Sequence, residues 1–282
     1  MFKIIDKEEL AKDITKIIVE APEIAQKAKA GQFVVVIVDE RGERIPLTLA
    51  DWDKDKGNIV LIFQEVGFTT KKLGAFNAGD NLQHILGPLG HATEAKNIGT
   101  IICIGGGIGI AEVYPVSRAF KEAGNRVLVI IGARTKELLI LEKQMRGLCD
   151  ELFVTTDDGS YSRKGFVTDV LKELFEVVEK STHTKYPDLV YAVGPVPMMK
   201  AVSQVTKNYG IKTTVSLNPI MVDATGMCGS CRLSVGGKTV FCCVDGPDFD
   251  ACQVDFDELQ KRLSLFNIQE DSLMDKIDCT KS

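Results

Sequence analysis

Thr100-Ile101-Ile102-Cys103-Ile104, followed at once by Gly105-Gly106-Gly107-Ile108-Gly109, is the stretch on which the fold of this chain turns. Five residues without apolar–polar alternation suit a strand buried on both faces, as in a parallel sheet. The glycines let backbone amides approach a pyrophosphate. The helix expected over residues 111–123 would present the positive end of its dipole to it. A plain strand-to-helix turn shares much of this pattern, but the strand before and the helix after favour a nucleotide.

Toward the C-terminus the alternation continues. Strands are expected over 126–131, 151–155 and 189–193, and helical sequence over 136–146, 168–180 and 197–209. Strand–helix alternation of this kind predicts a doubly wound α/β domain spanning about 98–215. Gly132-Ala133-Arg134 ends the second strand, where a Rossmann dinucleotide fold places an acidic residue. The nucleotide domain is therefore of another kind, and Arg134 either faces a phosphate or is a solvated loop arginine. Gly194-Pro195 follows the last strand of the domain, at the sheet edge where open α/β sheets bind ligands. The bland reading of that pair is a turn. Met198 and Met199 begin the next helix and are expected in the core.

Toward the N-terminus the texture is β. Runs at 14–20, 32–38, 58–64 and 81–86, with turn residues between them, predict a small antiparallel barrel up to about residue 97. Two segments within it, Arg44-Ile45-Pro46-Leu47-Thr48 and Gly67-Phe68-Thr69-Thr70, read as loops offering a guanidinium fork and hydroxyl donors to an anionic cofactor.

Composition narrows the class. Of 282 residues, 45% are hydrophobic and 26% charged, which suits a folded globular protein rather than a disordered one. No apolar run nears the roughly 18 residues of a membrane span. The N-terminal residues lack a signal-peptide core. A net charge of −5 argues against an electrostatic grip on nucleic acid. A cytoplasmic protein without a membrane span is the expectation.

Five of the eight cysteines, Cys228, Cys231, Cys242, Cys243 and Cys252, lie close together in the C-terminal part. In a reducing compartment such clustering signals metal or redox chemistry rather than disulfides. Cys103 and Cys149 read as buried thiols, and Cys279 carries no signal. Cys228 and Cys231 precede an expected hairpin, with Cys242 and Cys243 beyond it, an arrangement open to zinc as well as iron. The plant-type iron–sulfur spacing is C-x4-C-x2-C, and Asp223, Cys228 and Cys231 match it with aspartate in the first place. Asp223 is either a ligand or merely a neighbour. An amphipathic segment, 257–266, follows.

Arg44-x-Pro46-Leu47-Thr48, the glycine loop, Gly194-Pro195-Val196-Pro197-Met198-Met199 and the cysteine module together resemble the ferredoxin–NADP reductase superfamily. Their order is similar to that in the electron-transfer subunits of dihydroorotate dehydrogenase B. The stretch from Asn218 to Cys231, with Cys243-Val244-Asp245-Gly246-Pro247 and Gln253-Val254-Asp255-Phe256, is similar to the small subunits of electron-bifurcating NADH-dependent ferredoxin:NADP oxidoreductases.

The resemblance implies a multidomain chain: an antiparallel β-barrel FAD domain (1–97), a doubly wound α/β domain for NAD(H) (98–215) and a small C-terminal iron–sulfur module (216–282). It implies FAD held by Arg44, Pro46, Leu47, Thr48, Val66, Gly67, Thr69 and Thr70. The nicotinamide nucleotide falls to Gly105, Gly106, Gly107 and Gly109, with Arg134, Gly194 and Pro195 as further candidates. A [2Fe–2S] cluster falls to Asp223, Cys228, Cys231 and Cys243, with Cys242 as the rival to Cys243. The implied partner is a larger flavoprotein subunit with iron–sulfur clusters, forming a heterodimer and serving ferredoxin and NADP(H). Two departures stand out: Glu112 where the family often has proline after the glycine loop, and the extra thiols Cys242 and Cys252. The competing readings are a dihydroorotate dehydrogenase B electron-transfer subunit and a non-catalytic zinc- or nucleotide-binding scaffold.

Overall fold

The computed structural model describes residues 1–40, 42–181, 185–266 and 269; Cys279 lies outside them. The first unit contains strands β1 (Phe2–Ala11), β2 (Ile14–Glu20), β3 (Phe33–Ile37), β4 (Arg44–Asp53), β5 (Asn58–Gln64), β6 (Asn81–Leu82) and β7 (His84–Leu89), with helices α1 (Pro22–Lys27) and α2 (Phe68–Gly74). All pairings are antiparallel, in the order β6-β1-β2-β5-β4-β3-β7. The end strands β6 and β7 are separated by one residue, so the sheet nearly closes into the expected barrel. Alternation fills it: Ile17, Val19, Val34, Val36, Leu49, Ile59, Leu61 and Phe63 point into one buried cluster.

The second unit contains β8 (Thr100–Gly106), α3 (Ile110–Glu122), β9 (Arg126–Ala133), α4 (Glu142–Leu148), β10 (Glu151–Thr156), β11 (Arg163–Lys164), α5 (Val167–Glu179), β12 (Leu189–Val193), α6 (Val196–Asn208) and β13 (Thr213–Ser216). Its strands run parallel in the order β11-β10-β9-β8-β12-β13. The apolar run of β8 is buried on both faces. Ile101 and Cys103 pack in one cluster with Val113, Val116 and Phe120 of α3, while Ile102 and Ile104 pack in another with α5 and α6. Helices on both faces make the domain doubly wound. The chain leaves β8 first toward β9 and later returns to β12 on its other side. The topological switch point thus lies between β8 and β12, where the glycine loop and Gly194-Pro195 sit.

The C-terminal unit adds the hairpin β14 (Arg232–Val235) and β15 (Lys238–Phe241), the short helix α7 (Cys242–Asp245), strand β16 (Asp248–Asp250) and helix α8 (Phe256–Leu263). Strand β16 pairs antiparallel with β13, joining the parallel sheet as its last strand. Phe249, Phe256 and Leu259 enter the same buried cluster as α5 and α6.

Several expectations need correction. The two segments read as cofactor loops are regular: residues 44–48 begin β4, and residues 68–70 open α2, capped at Gly67 where the Thr70 hydroxyl accepts from the Gly67 amide at 3.0 Å. The helix expected over 136–146 is a 3-10 turn (Lys136–Leu138) and α4, broken at Leu141, which takes a left-handed conformation. The sequence gives no expectation of strands β1, β11, β13 and β16 or of helix α1, and the strand before Gly194-Pro195 is not the last of its sheet, since β13 and β16 follow it. The 81–86 run is two strands, each pairing at an opposite end of the sheet. Cys149 is half-buried rather than buried. Met199 is in the core as expected, and Met198 packs beside it.

Candidate functional site: a shared cavity and a cysteine loop

A cavity of about 820 Å³ opens at the switch point, within the size range of cofactor sites. Three walls meet in it. Pro46, Leu47 and Thr48 of β4, with Val66 before α2 and Thr70 within it, come from the barrel. Gly106, Gly107, Gly109, Arg134, Gly194 and Pro195 come from the α/β unit. Ser216, Leu217, Asn218, Met221 and Pro247 bring in the start of the cysteine module. Of the nucleotide and flavin candidates, Arg44, Gly67, Thr69 and Gly105 do not line it. Thr69 is buried and its hydroxyl donates to Glu43. Gly105 is enclosed in β8, and a Cβ there would meet Ile110 at 3.0 Å.

The glycines of the loop have different jobs. A Cβ on Gly109 would stand 2.5 Å from the Val193 carbonyl oxygen, and one on Gly106 would stand 2.3 Å from the Met198 sulfur. Both are needed for the end of β8 and the turn after it to pass close to the end of β12 and the start of α6. Gly107 alone has φ of +54° and no atom within 4 Å of its missing Cβ. Its open side faces the cavity, which fits a backbone approached by a ligand rather than by protein. Arg134 and Asp157 line the same region, and the Arg134 charge offsets part of the rise that burial imposes on the Asp157 carboxyl.

Where barrel, α/β unit and cysteine module converge lies a group of side chains that the sequence reading did not assemble. Glu112, in the first turn of α3, accepts from the Thr48 hydroxyl at 3.1 Å and lies 3.5 Å from the Tyr191 hydroxyl. Tyr191, fully buried on β12, donates to Asp248 at 2.9 Å, and Thr93 donates to the other Asp248 oxygen at 2.7 Å. The buried Ser216 hydroxyl faces both carboxyls and favours their charged forms. Burial pushes Glu112 up to about 7, and the Asp248 charge adds to the rise. Burial also pushes Asp248 up to about 6, against hydrogen bonds from Thr93, Tyr191 and Ser216. Glu112 was legible only as an odd residue after the glycine loop. Asp248, 136 positions away, carried no sign of meeting it.

In the cysteine module, Cys231 and Cys243 are buried with their sulfurs 3.3 Å apart. Burial, reinforced by Cys231, pushes Cys243 up to about 12, while the Gly226 amide points at its sulfur. Cys228 is exposed on the preceding loop. The Ser230 hydroxyl, 3.2 Å away, and the amides of Ser230, Asp223 and Val222 draw its thiol below the usual range. Cys242 turns the other way, into the core, where its thiol donates to the Leu217 carbonyl at 3.1 Å. Asp223 forms an ion pair with Arg44 at 2.9 Å and accepts from the Thr225 amide and hydroxyl. Cys252 is exposed. Among the described residues, no three His, Cys, Asp or Glu side chains already converge as a metal cage. The donor chemistry nevertheless suits an anionic iron–sulfur group: thiols ringed by amide N–H groups, on a loop that Gly226 and Gly229 allow to turn at positive φ.

No helix among the described residues is long and apolar enough to cross a membrane. Residues 218–255 match the iron–sulfur cluster binding domain of dihydroorotate dehydrogenase B, and residues 103–204 match the oxidoreductase NAD-binding domain. The chain is 44% identical over 268 residues to a dihydroorotate dehydrogenase B (NAD(+)) electron transfer subunit homolog of Thermotoga maritima, covering 95% of this chain and 92% of that protein. It is 48% identical over 280 residues to an uncharacterized protein of the adh 3' region of Clostridium beijerinckii, covering 96% and 92%. Among solved structures, it superposes with TM-score 0.91 and 42% identity, covering 98% of both chains, on a chain of the NADH-dependent reduced ferredoxin–NADP oxidoreductase studied for flavin-based electron bifurcation. Barrel, doubly wound domain and cysteine module thus recur together in relatives that match nearly end to end, and the chain belongs to the family of dihydroorotate dehydrogenase B electron transfer subunits and their homologues.

Proposed function

We propose that this chain is the electron-transfer subunit of an NADH-dependent oxidoreductase, with FAD in the cavity, NAD(H) at the glycine loop and a [2Fe–2S] cluster on the cysteine loop. The observation that carries it is the single cavity shared by β4 of the barrel, the glycine loop and the first residues of the cysteine module. A flavin accepts a hydride as two electrons and returns them singly, which is the chemistry needed between a nicotinamide and a one-electron cluster. Pro46, Leu47, Thr48, Val66 and Thr70 would hold the flavin from the barrel side. Gly106, Gly107, Gly109, Gly194 and Pro195 would hold the nicotinamide nucleotide against it, with Arg134 at the outer end. Cys228, Cys231, Cys243 and Asp223 are the proposed cluster ligands. Arg44, paired with Asp223, then links the barrel to the cluster loop rather than serving only the flavin.

The proposed segments are 1–97 for FAD, 98–215 for NAD(H) and 216–282 for the cluster. The proposed partner is a larger cytoplasmic flavoprotein subunit with iron–sulfur clusters that serves ferredoxin and NADP(H). Support comes from the near-complete match to a chain of the NADH-dependent reduced ferredoxin–NADP oxidoreductase. The second reading, a partner that oxidises dihydroorotate, is favoured by the description of the matched cysteine domain. Purifying the native complex and identifying the co-purifying subunit decides between them. A dihydroorotate-oxidising partner overturns the first reading, and a colourless zinc-containing chain overturns both.

A further inference from the structure

We propose that Glu112 and Asp248, joined through Tyr191 and Ser216, form a proton station at the wall of the cavity that collects the proton left behind when electrons leave the flavin singly. The proposal rests on the electron-transfer reading above. A hydride is one proton and two electrons. A one-electron cluster on the cysteine loop would take the two electrons one at a time, and one proton per hydride would then stay behind and need a base. The Glu112 carboxylate would accept it, becoming the carboxylic acid, and would return the proton when flow runs the other way.

The geometry meets the needs of such a station. Glu112 lines the cavity at the seam between Thr48 of the barrel and the glycine loop. Thr48 spans Glu112 and the cavity, and its hydroxyl is able both to donate and to accept. Behind Glu112, Tyr191 at 3.5 Å and then Asp248 at 2.9 Å lead away from the cavity, ending at Thr93. The groups facing the two carboxyls are Thr48 from β4, Tyr191 from β12, Ser216 from β13, Thr93 from the segment after β7 and, at longer range, Cys242 of α7. None is a cation, and neither carboxyl forms an ion pair among the described residues. Two half-buried carboxylates joined through one tyrosine hydroxyl, without a counter-ion, cannot both ionise cheaply, so the pair is suited to hold one proton between them. Burial that raises both acids places that exchange near neutral pH, where a proton acceptor and donor is most effective.

The test uses the full-length, cofactor-loaded protein and redox-difference infrared spectroscopy. A protonated-carboxyl stretch that changes between oxidised and reduced flavin is expected in the wild type and is expected to vanish in Glu112→Gln. Reoxidation of the NADH-reduced protein by ferricyanide should slow by about 100-fold in Glu112→Gln, with partial rescue in Glu112→Asp. If the wild-type carboxyl region is redox-silent while the protein holds flavin and NADH bleaches it, the station is overturned and the functional reading survives. If purified protein carries no flavin, both fall. The wild-type spectrum decides the point even if a variant fails to fold.

Discussion

Replacing Glu112 by glutamine should flatten the dependence of stability on pH. A carboxyl whose pKa rises on folding binds its proton more tightly in the native state. The native protein therefore holds more protons than the unfolded chain between the two values, and stability falls as pH rises through that window. For Glu112 the window runs from 4.5 to about 7. The loss across it is about 3 kcal/mol at 1.36 kcal/mol per unit. Glutamine keeps the shape and never ionises. Below pH 4.5 wild type and Glu112→Gln should differ little, and by pH 8 the variant should have gained about 3 kcal/mol relative to the wild type. Urea unfolding of cofactor-free protein at a series of pH values would measure this through the only tryptophan. Trp52 is well placed, on β4 beneath the Arg118 guanidinium of α3, 5.3 Å from its ring centre. Parallel stability curves for the two proteins from pH 4 to 8 would refute the buried-acid account of Glu112.

Cys231→Ser should leave NADH-dependent bleaching of the flavin in place and stop one-electron delivery to the partner subunit; loss of bleaching in a folded, flavin-loaded variant would rule out a sequential path. Asp223→Ala should lose the cluster or make it labile with FAD retained, while Asp223→Cys should keep the cluster and shift its paramagnetic resonance spectrum, because carboxylate is the harder, less covalent donor. An unchanged spectrum in Asp223→Ala would make Asp223 a bystander to an all-cysteine site. Flavin reduction should be faster with NADH than with NADPH at equal concentration, since Asp157 beside Arg134 disfavours an added phosphate; a clear NADPH preference, lost in Arg134→Ala, would reverse the assignment. Gly109→Ala should destabilise the fold by about 1–3 kcal/mol, because its Cβ meets the Val193 carbonyl, whereas Gly107→Ala should cost about 1 kcal/mol through its left-handed φ and weaken nucleotide binding as well; unchanged nucleotide affinity in Gly107→Ala would contradict its ligand-facing role.

Much of the architecture was legible because hydrophobic period is a local signal. The runs at 14–20, 58–64 and 189–193 coincide with β2, β5 and β12, since continuous or alternating apolar residues leave little choice of conformation. What failed was local sequence whose structure is imposed from outside. Arg44-Ile45-Pro46-Leu47-Thr48 looks like a loop because proline cannot donate to a ladder, yet it pairs with β3 in the barrel. Strand β1, with charges at Asp6, Lys7, Glu8 and Glu9, is held by its pairing to β2 rather than by its own apolar pattern. The same limit applies to the site. Glycine loops and cysteine spacing are readable because their chemistry is packed into a few consecutive residues. The meeting of Glu112, Tyr191 and Asp248 is a property of topology, created when β16 returns to the sheet beside β13.

That returning strand also sets how the molecule can be taken apart. A chain cut after Ser216 would leave β13 as a bare edge, its outward amides and carbonyls offered to any other strand in solution. It would also strip Phe249, Phe256 and Leu259 from the face of a core that α5 and α6 need covered. The cysteine module is thus no removable cartridge. Its folding is wedded to the nucleotide sheet, so damage to either is felt by both.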